Sequence, residues 1–136
     1  MRAALRDARI SAADVSYLNL HGTGTRQNDS MESAAVERVF GGSLPCSSTK
    51  PLVGHTLGAS GAIEAGFCWL MLTRRGDSAL VLPPHRWDGE SDPELPVLAL
   101  VREEASVETP APVVLISNSF GFGGSNCTLA IGDPRT

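Results

Sequence analysis

Apolar residues recur at helical spacing through residues 2–10, RAALRDARI, and predict a first helix. Residues 16–20, SYLNL, alternate polar and apolar over one short run, which is the pattern of a strand. A polar loop follows over 21–29, HGTGTRQND. Asp29 or Ser30 then caps a second helix, with Glu32 three positions after Asp29 at capping-box spacing. That helix runs to about Phe40, where Gly41 and Gly42 end it. Residues 45–48 form a short strand. Beyond a loop holding Lys50 and His55, residues 59–75 make a long helix that is apolar on nearly every side. Such a helix is expected to be buried. Gly76 terminates it, and Arg74 and Arg75 complement the negative end of its dipole.

The second half reads differently. Residues 83–96 are rich in Pro, Asp, Glu and Gly and form a surface loop. Residues 97–101 are a strand, and 103–112 loop out again. Two strand-like runs, 113–116 and 125–131, flank a Gly-rich turn at 121–124 and predict a hairpin. The order α-β-α-β-α-β-β-β specifies an α/β layered fold with a mixed β-sheet packed by helices. There is no internal repeat.

Composition narrows the function classes. The chain has 136 residues, enough for one domain with its own core. A net charge of -4 and a pI near 5.3 give no basic footprint for nucleic acid. No apolar stretch is long enough to span a membrane, and the start of the chain has no signal-peptide pattern. Cys46, Cys68 and Cys127 are scattered and odd in number, which suits neither a disulfide framework nor a metal site. The expected setting is soluble, reduced and cytoplasmic.

Three stretches can carry chemistry. The first is HGTGT at 21–25, at the carboxyl end of a strand, where α/β sheets bind ligands. A neutral His21 there can donate a hydrogen bond to a developing oxyanion, or it can cap a carbonyl in a tight turn. The second is KPLVGHTLGASG at 50–61, with the only lysine in the chain. His55 stands just before the long helix, where the charged imidazole is disfavoured. Glu64 lies among apolar residues of that helix and needs a cation. Lys50 is the candidate partner, either as a structural ion pair or as part of a working site. The third is NSFGFGGSN at 118–126, a turn whose Phe side chains can gate an apolar tunnel or pack into the core. His85 falls in the surface loop and is read as having no function.

Together, YLNLHGTGT, SSTKPLVGHTLGASGAIEA and NSFGFGGSN resemble the carboxyl-terminal part of the β-ketoacyl-[acyl carrier protein] synthases, condensing enzymes with a thiolase-like fold. The resemblance covers most of the chain. It implies that His21 and His55 are the two histidines of a Cys-His-His site, hydrogen-bonding the thioester oxygen during malonyl decarboxylation. It implies that Lys50 pairs with Glu64, that Phe122 gates the site with Phe120 nearby, and that Thr23 and Thr25 line the pantetheine channel. It further implies acyl carrier protein as partner, a homo- or hetero-oligomer, and neither a redox cofactor nor a catalytic metal.

One departure from the family is decisive. The nucleophilic cysteine of the family lies in its amino-terminal half, on a strand-to-helix elbow. None of Cys46, Cys68 and Cys127 has that context. Residues 1–136 are therefore expected to be a single incomplete carboxyl-terminal domain that is inactive without the amino-terminal half. Two other readings compete: a non-catalytic complementing subunit or degenerate partner of a heterodimer, and an unrelated enzyme using the two histidines and the lysine for phosphate or metal binding. The spacing of the two histidines, with no carboxylate pair nearby, is poor for a metal.

Overall fold

The structure, a computed structural model of the chain, describes residues 1–75, 79–103, 105–108 and 112–133, with the backbone alone at 122. Its elements are α1 (Arg2–Ala8), β1 (Val15–Asn19), α2 (Arg26–Phe40), β2 (Cys46–Ser47), α3 (Lys50–Val53), α4 (Ser60–Arg74), β3 (Ala79–Val81), β4 (Ser106–Glu108), β5 (Val114–Gly121) and β6 (Ser125–Gly132). The main sheet has the order β2-β1-β5-β6. β1 runs parallel to both β2 and β5, and β6 is antiparallel to β5. This is the mixed sheet that the element order requires.

Alternation along β1 and β5 sends side chains to two separate cores. Leu18, Leu20 and Ile116 face α1 and α2, packing with Leu5, Val36, Leu44 and Cys46. Tyr17 and Leu115 face the other way, onto Cys68 and Leu72 of α4 and onto Leu80, Leu82, Val101 and Val113. The result is three layers, helix on sheet on helix, each face covered as a parallel sheet demands. The first helix, the first strand and the final hairpin lie where the pattern predicts them. Gly41 takes a φ of 72° at the end of α2, which only glycine adopts freely.

Five expectations need correction. α2 begins at Arg26 with Thr25 at its N-cap, so neither Asp29 nor Ser30 caps it. Its first turn is entirely polar and carries no periodic signal. Lys50 is not in a loop: it opens the one-turn helix α3, with Pro51 in the first turn, where proline is tolerated. Residues 97–101 form only a single parallel bridge, Leu100 to Cys46. Ser106–Glu108, expected to be loop, is strand β4 and pairs antiparallel with β3. Finally, α4 is buried along one stripe only, Ser60, Glu64, Cys68 and Leu72 at four-residue spacing, while Trp69 is 58% exposed. Gly76, the expected terminator, lies outside the described residues.

Candidate active site

β1, β2 and β5 run parallel, so their carboxyl ends meet at one edge of the sheet. The chain leaves β1 into Leu20 and His21, leaves β2 into Lys50, and reaches Phe120 near the end of β5. α4 starts at the same edge and presents Glu64 from its second turn. The topology thus gathers residues from three distant stretches of the sequence.

Lys50 is the hub. Its Nζ donates to Glu64 Oε1 and to the backbone carbonyl of His21, and it stands 3.4 Å from His21 Nδ1. The side chains of Lys50 and Glu64 are 5% and 1% exposed, so the ion pair argued from burial in the sequence exists. Ser60 Oγ adds a bond of 3.3 Å to the same carboxylate oxygen. A charge buried this deeply is tolerated only with a partner.

His21 is buried, and its pKa is pushed down to about 4, first by desolvation, then by Lys50 and His55. Its ring is therefore neutral at ordinary pH. With the Lys50 ammonium facing Nδ1, that nitrogen accepts and the proton resides on Nε2. His55 is exposed, its ring centroid 5.4 Å from that of His21 and edge-on at 89°. The Leu57 N–H donates to His55 Nδ1 at 3.2 Å, which again leaves the proton on Nε2. Two imidazoles side by side, each with Nδ1 occupied, can offer two N–H donors to one anionic oxygen.

The remaining expected residues fall around this pair. The Phe120 ring is 6.1 Å from His21 at an angle of 64°. Thr23 and Thr25 share a hydrogen bond of 2.9 Å between their hydroxyls at the start of α2. The Phe122 backbone opens the turn Phe122–Gly124, and its side chain lies outside the described residues. Cys46 and Cys68 are buried, and desolvation pushes both thiols up to about 12, which keeps them protonated and unreactive. Cys127 is exposed on β6. Among the described residues, no group of three His, Cys, Asp or Glu side chains stands close enough to hold a metal ion.

Sequence reasoning missed several of the contacts that hold the site. Glu32 is buried in α2 and accepts from the His21 and Gly22 N–H groups at 2.9 and 2.8 Å. Asn118 and Asn28 donate to it at 3.1 and 3.3 Å. Burial raises the pKa of this carboxyl against the pull of those bonds. Its spacing from Asp29 gave a cap signal instead, because a carboxylate serving a distant turn looks the same in sequence as one serving its own helix. Ser48 Oγ donates to the Gly22 carbonyl at 2.8 Å. Gly22 has a φ of 40°, and a Cβ there would come within 2.5 Å of Ser48 Cβ, so the turn requires glycine. His85, expected on the surface, is half-buried: its Nδ1 accepts the Ser48 N–H at 3.0 Å. No local pattern could have shown that contact.

The family described as beta-ketoacyl synthase, C-terminal domain, matches residues 1–84. Nodulation protein E of a Rhizobium species is 43% identical over 135 residues, covering 96% of this chain and 31% of that protein. The 3-oxoacyl-[acyl-carrier-protein] synthase 2 of Rhizobium meliloti is 38% identical, covering 96% of this chain and 30% of that protein. Among solved structures, a ketosynthase in complex with its chain length factor from Xenorhabdus doucetiae superposes with a TM-score of 0.86 at 48% identity. That match covers 98% of this chain and 32% of the other. The chain spans about a third of the length of these relatives.

Proposed function

The chain belongs to the β-ketoacyl synthase family, matching its C-terminal domain, and on that premise we propose that it carries the decarboxylation half of a condensing-enzyme active site. Its α/β layering is that of the thiolase-like fold. The reaction is the decarboxylative Claisen condensation of a 3-oxoacyl-[acyl carrier protein] synthase, in fatty acid or polyketide-type biosynthesis. The observation that carries this reading is the His21–His55 pair, each ring with Nδ1 taken as acceptor.

In the whole synthase, an acyl group is held as a thioester on the family's cysteine, in the amino-terminal half. Malonyl-carrier enters along Thr23 and Thr25, with Phe120 and Phe122 gating its path. His21 and His55 donate from Nε2 to the malonyl thioester oxygen. The carbon–carbon bond to the carboxylate breaks, CO2 leaves, and the electron pair forms an enolate whose oxygen the two donors stabilise. The enolate carbon then attacks the acyl thioester, the cysteine leaves as thiolate, and 3-oxoacyl-carrier is the product. Lys50 holds His21 in its donor tautomer, and Glu64 keeps Lys50 in place.

Acyl carrier protein and the amino-terminal half of a synthase are the partners this reading requires. A homo- or hetero-oligomer is expected; the related ketosynthase stands in a complex with its chain length factor. Residues 1–136 act as one incomplete domain. By itself the chain is inactive, since its two buried cysteines are unreactive thiols and Cys127 lies on a strand rather than an elbow. The complete set of His21, His55, Lys50 and Glu64 speaks against a degenerate, non-catalytic subunit.

The test is co-expression of the chain with an amino-terminal synthase half, followed by assay of CO2 release from malonyl-carrier. We expect release from the assembled pair, and its loss by about 100-fold or more in His21→Ala or His55→Ala. Condensation product from the 136-residue chain alone would overturn the claim of inactivity.

A further inference from the structure

We propose that His85 is a positioning residue of this site: by accepting the Ser48 N–H it fixes the end of β2, and through Ser48 it fixes both the His21–Gly22 turn and the backbone of Lys50. The last link of the β1–β2 ladder is Leu20 N–H to the Ser47 carbonyl, at 2.9 Å. Past it the two chains diverge, one into the turn after His21 and the other into α3. The Ser48 N–H is left without a strand partner, and Ser48 is buried. His85 Nδ1 meets that N–H at 3.0 Å.

Ser48 is the junction between the two diverging chains. Its Oγ donates to the Gly22 carbonyl at 2.8 Å and accepts from the Lys50 N–H at 3.3 Å. One imidazole nitrogen thus holds the residue that ties the His21 turn to the lysine serving it. His85 is itself held firmly. Its N–H donates to the Val101 carbonyl at 2.8 Å, and Val101 N–H donates to the Cys46 carbonyl at 2.9 Å, which returns the tie to β2. Its ring lies 5.2 Å from that of Trp87, and the Arg102 guanidinium sits 5.9 Å from the Trp87 ring centre. Burial lowers the pKa of His85 and keeps Nδ1 an acceptor, against an opposing pull from Asp29.

The inference rests on the reading of His21 and Lys50 as working groups, but its test does not pass through turnover. The measurement is NMR of the full chain, following the His21 ring, the Lys50 amide and the exchange rate of the Ser48 amide. In His85→Ala we expect the Ser48 amide to exchange about tenfold faster or more, as the loss of one hydrogen bond implies. The His21 and Lys50 signals should move with it, while those of α1 and of the β3–β4 pair stay in place. His85→Asn, whose Oδ1 falls near the Nδ1 position, should restore the wild-type signals. His85→Gln, whose oxygen lies one bond farther out, should not. If His85→Ala fails to fold, the Asn and Gln variants decide alone. Unmoved His21 and Lys50 signals in the Ala or Gln variant, or an Asn variant as disturbed as Gln, would overturn the proposal. The shifts without CO2 release from the assembled enzyme would instead overturn the functional reading and leave this one standing.

Discussion

Folding holds the His21 ring in its neutral form. Its folded pKa is near 4, while its ordinary value is 6.5. Between those values the unfolded chain binds a proton that the folded chain refuses, so this group's contribution to stability falls as pH falls from about 6.5 towards 4. Glu32, whose pKa is raised by burial, acts in the opposite sense above its ordinary value of 4.5. Comparing thermal unfolding of wild type and His21→Gln across that pH range isolates the His21 part. We expect the variant to lose less stability than wild type on acidification. Nitrogen NMR of the ring should show the Nε2–H tautomer persisting to about pH 4.

Lys50 and Glu64 give a second residue-scale test. Removing one member of a buried ion pair strands the other, at a cost of about 3–5 kcal/mol. Lys50→Met should show that loss in urea unfolding, while Lys50→Met with Glu64→Leu should recover most of the stability of the chain but none of the CO2 release expected from the assembled pair. This pair was legible in the sequence for a physical reason: a single carboxylate in an apolar helix must find a cation, and the chain has one lysine. Glu32 and His85 were not legible. Glu32 serves the His21 and Gly22 N–H groups and His85 serves that of Ser48, and backbone partners in other segments leave no mark in a side-chain pattern.

At the scale of elements, the site depends on where two strands stop. The turn after β1 is pinned by Glu32 from α2 and by Ser48 just past β2, and it leaves no room for a Cβ at position 22. Gly22→Ala should therefore destabilise the chain by at least about 1–3 kcal/mol, the typical cost of a strained backbone position, and displace the His21 ring. Denaturant unfolding and the ring signals would check both parts. The same scale explains which elements the pattern revealed. β1 alternates over a short run, the strands of the β5–β6 hairpin flank a Gly-rich turn, and β1 and β5 sit against a core. β4 is three residues of mixed exposure with little pattern to read, and the first turn of α2 is wholly polar. Position in the tertiary structure, not local preference, makes them strand and helix.

For the whole molecule, the exposure of α4 sets its behaviour in solution. The sequence suggested a helix apolar and buried on nearly all sides, yet only one stripe of it is buried, and Leu52, Val53, Leu57 and Trp69 are exposed. Apolar surface is worth about 25 cal/mol per Å² when removed from water, so exposed side chains of this kind favour association. We expect the isolated chain to elute above monomer mass in light-scattering chromatography and to bind a hydrophobe-sensing dye. A sharp monomer peak without dye binding would count against this. Alkylation under native conditions should modify Cys127 and spare Cys46 and Cys68.

The central place of β1 has a consequence in time. β1 lies between β2, which follows it closely, and β5, whose Leu115 pairs with Tyr17 about a hundred residues later. During synthesis the ribosome releases His21, Lys50, His55 and Glu64 well before the strand that completes the sheet beneath them. Until then the nascent chain carries an unpaired edge at β1 and a lysine–glutamate pair with no walls around it, which is the kind of segment that chaperones hold. A chain arrested on the ribosome before residue 113 should be cut readily by protease, and one released past residue 121 should resist.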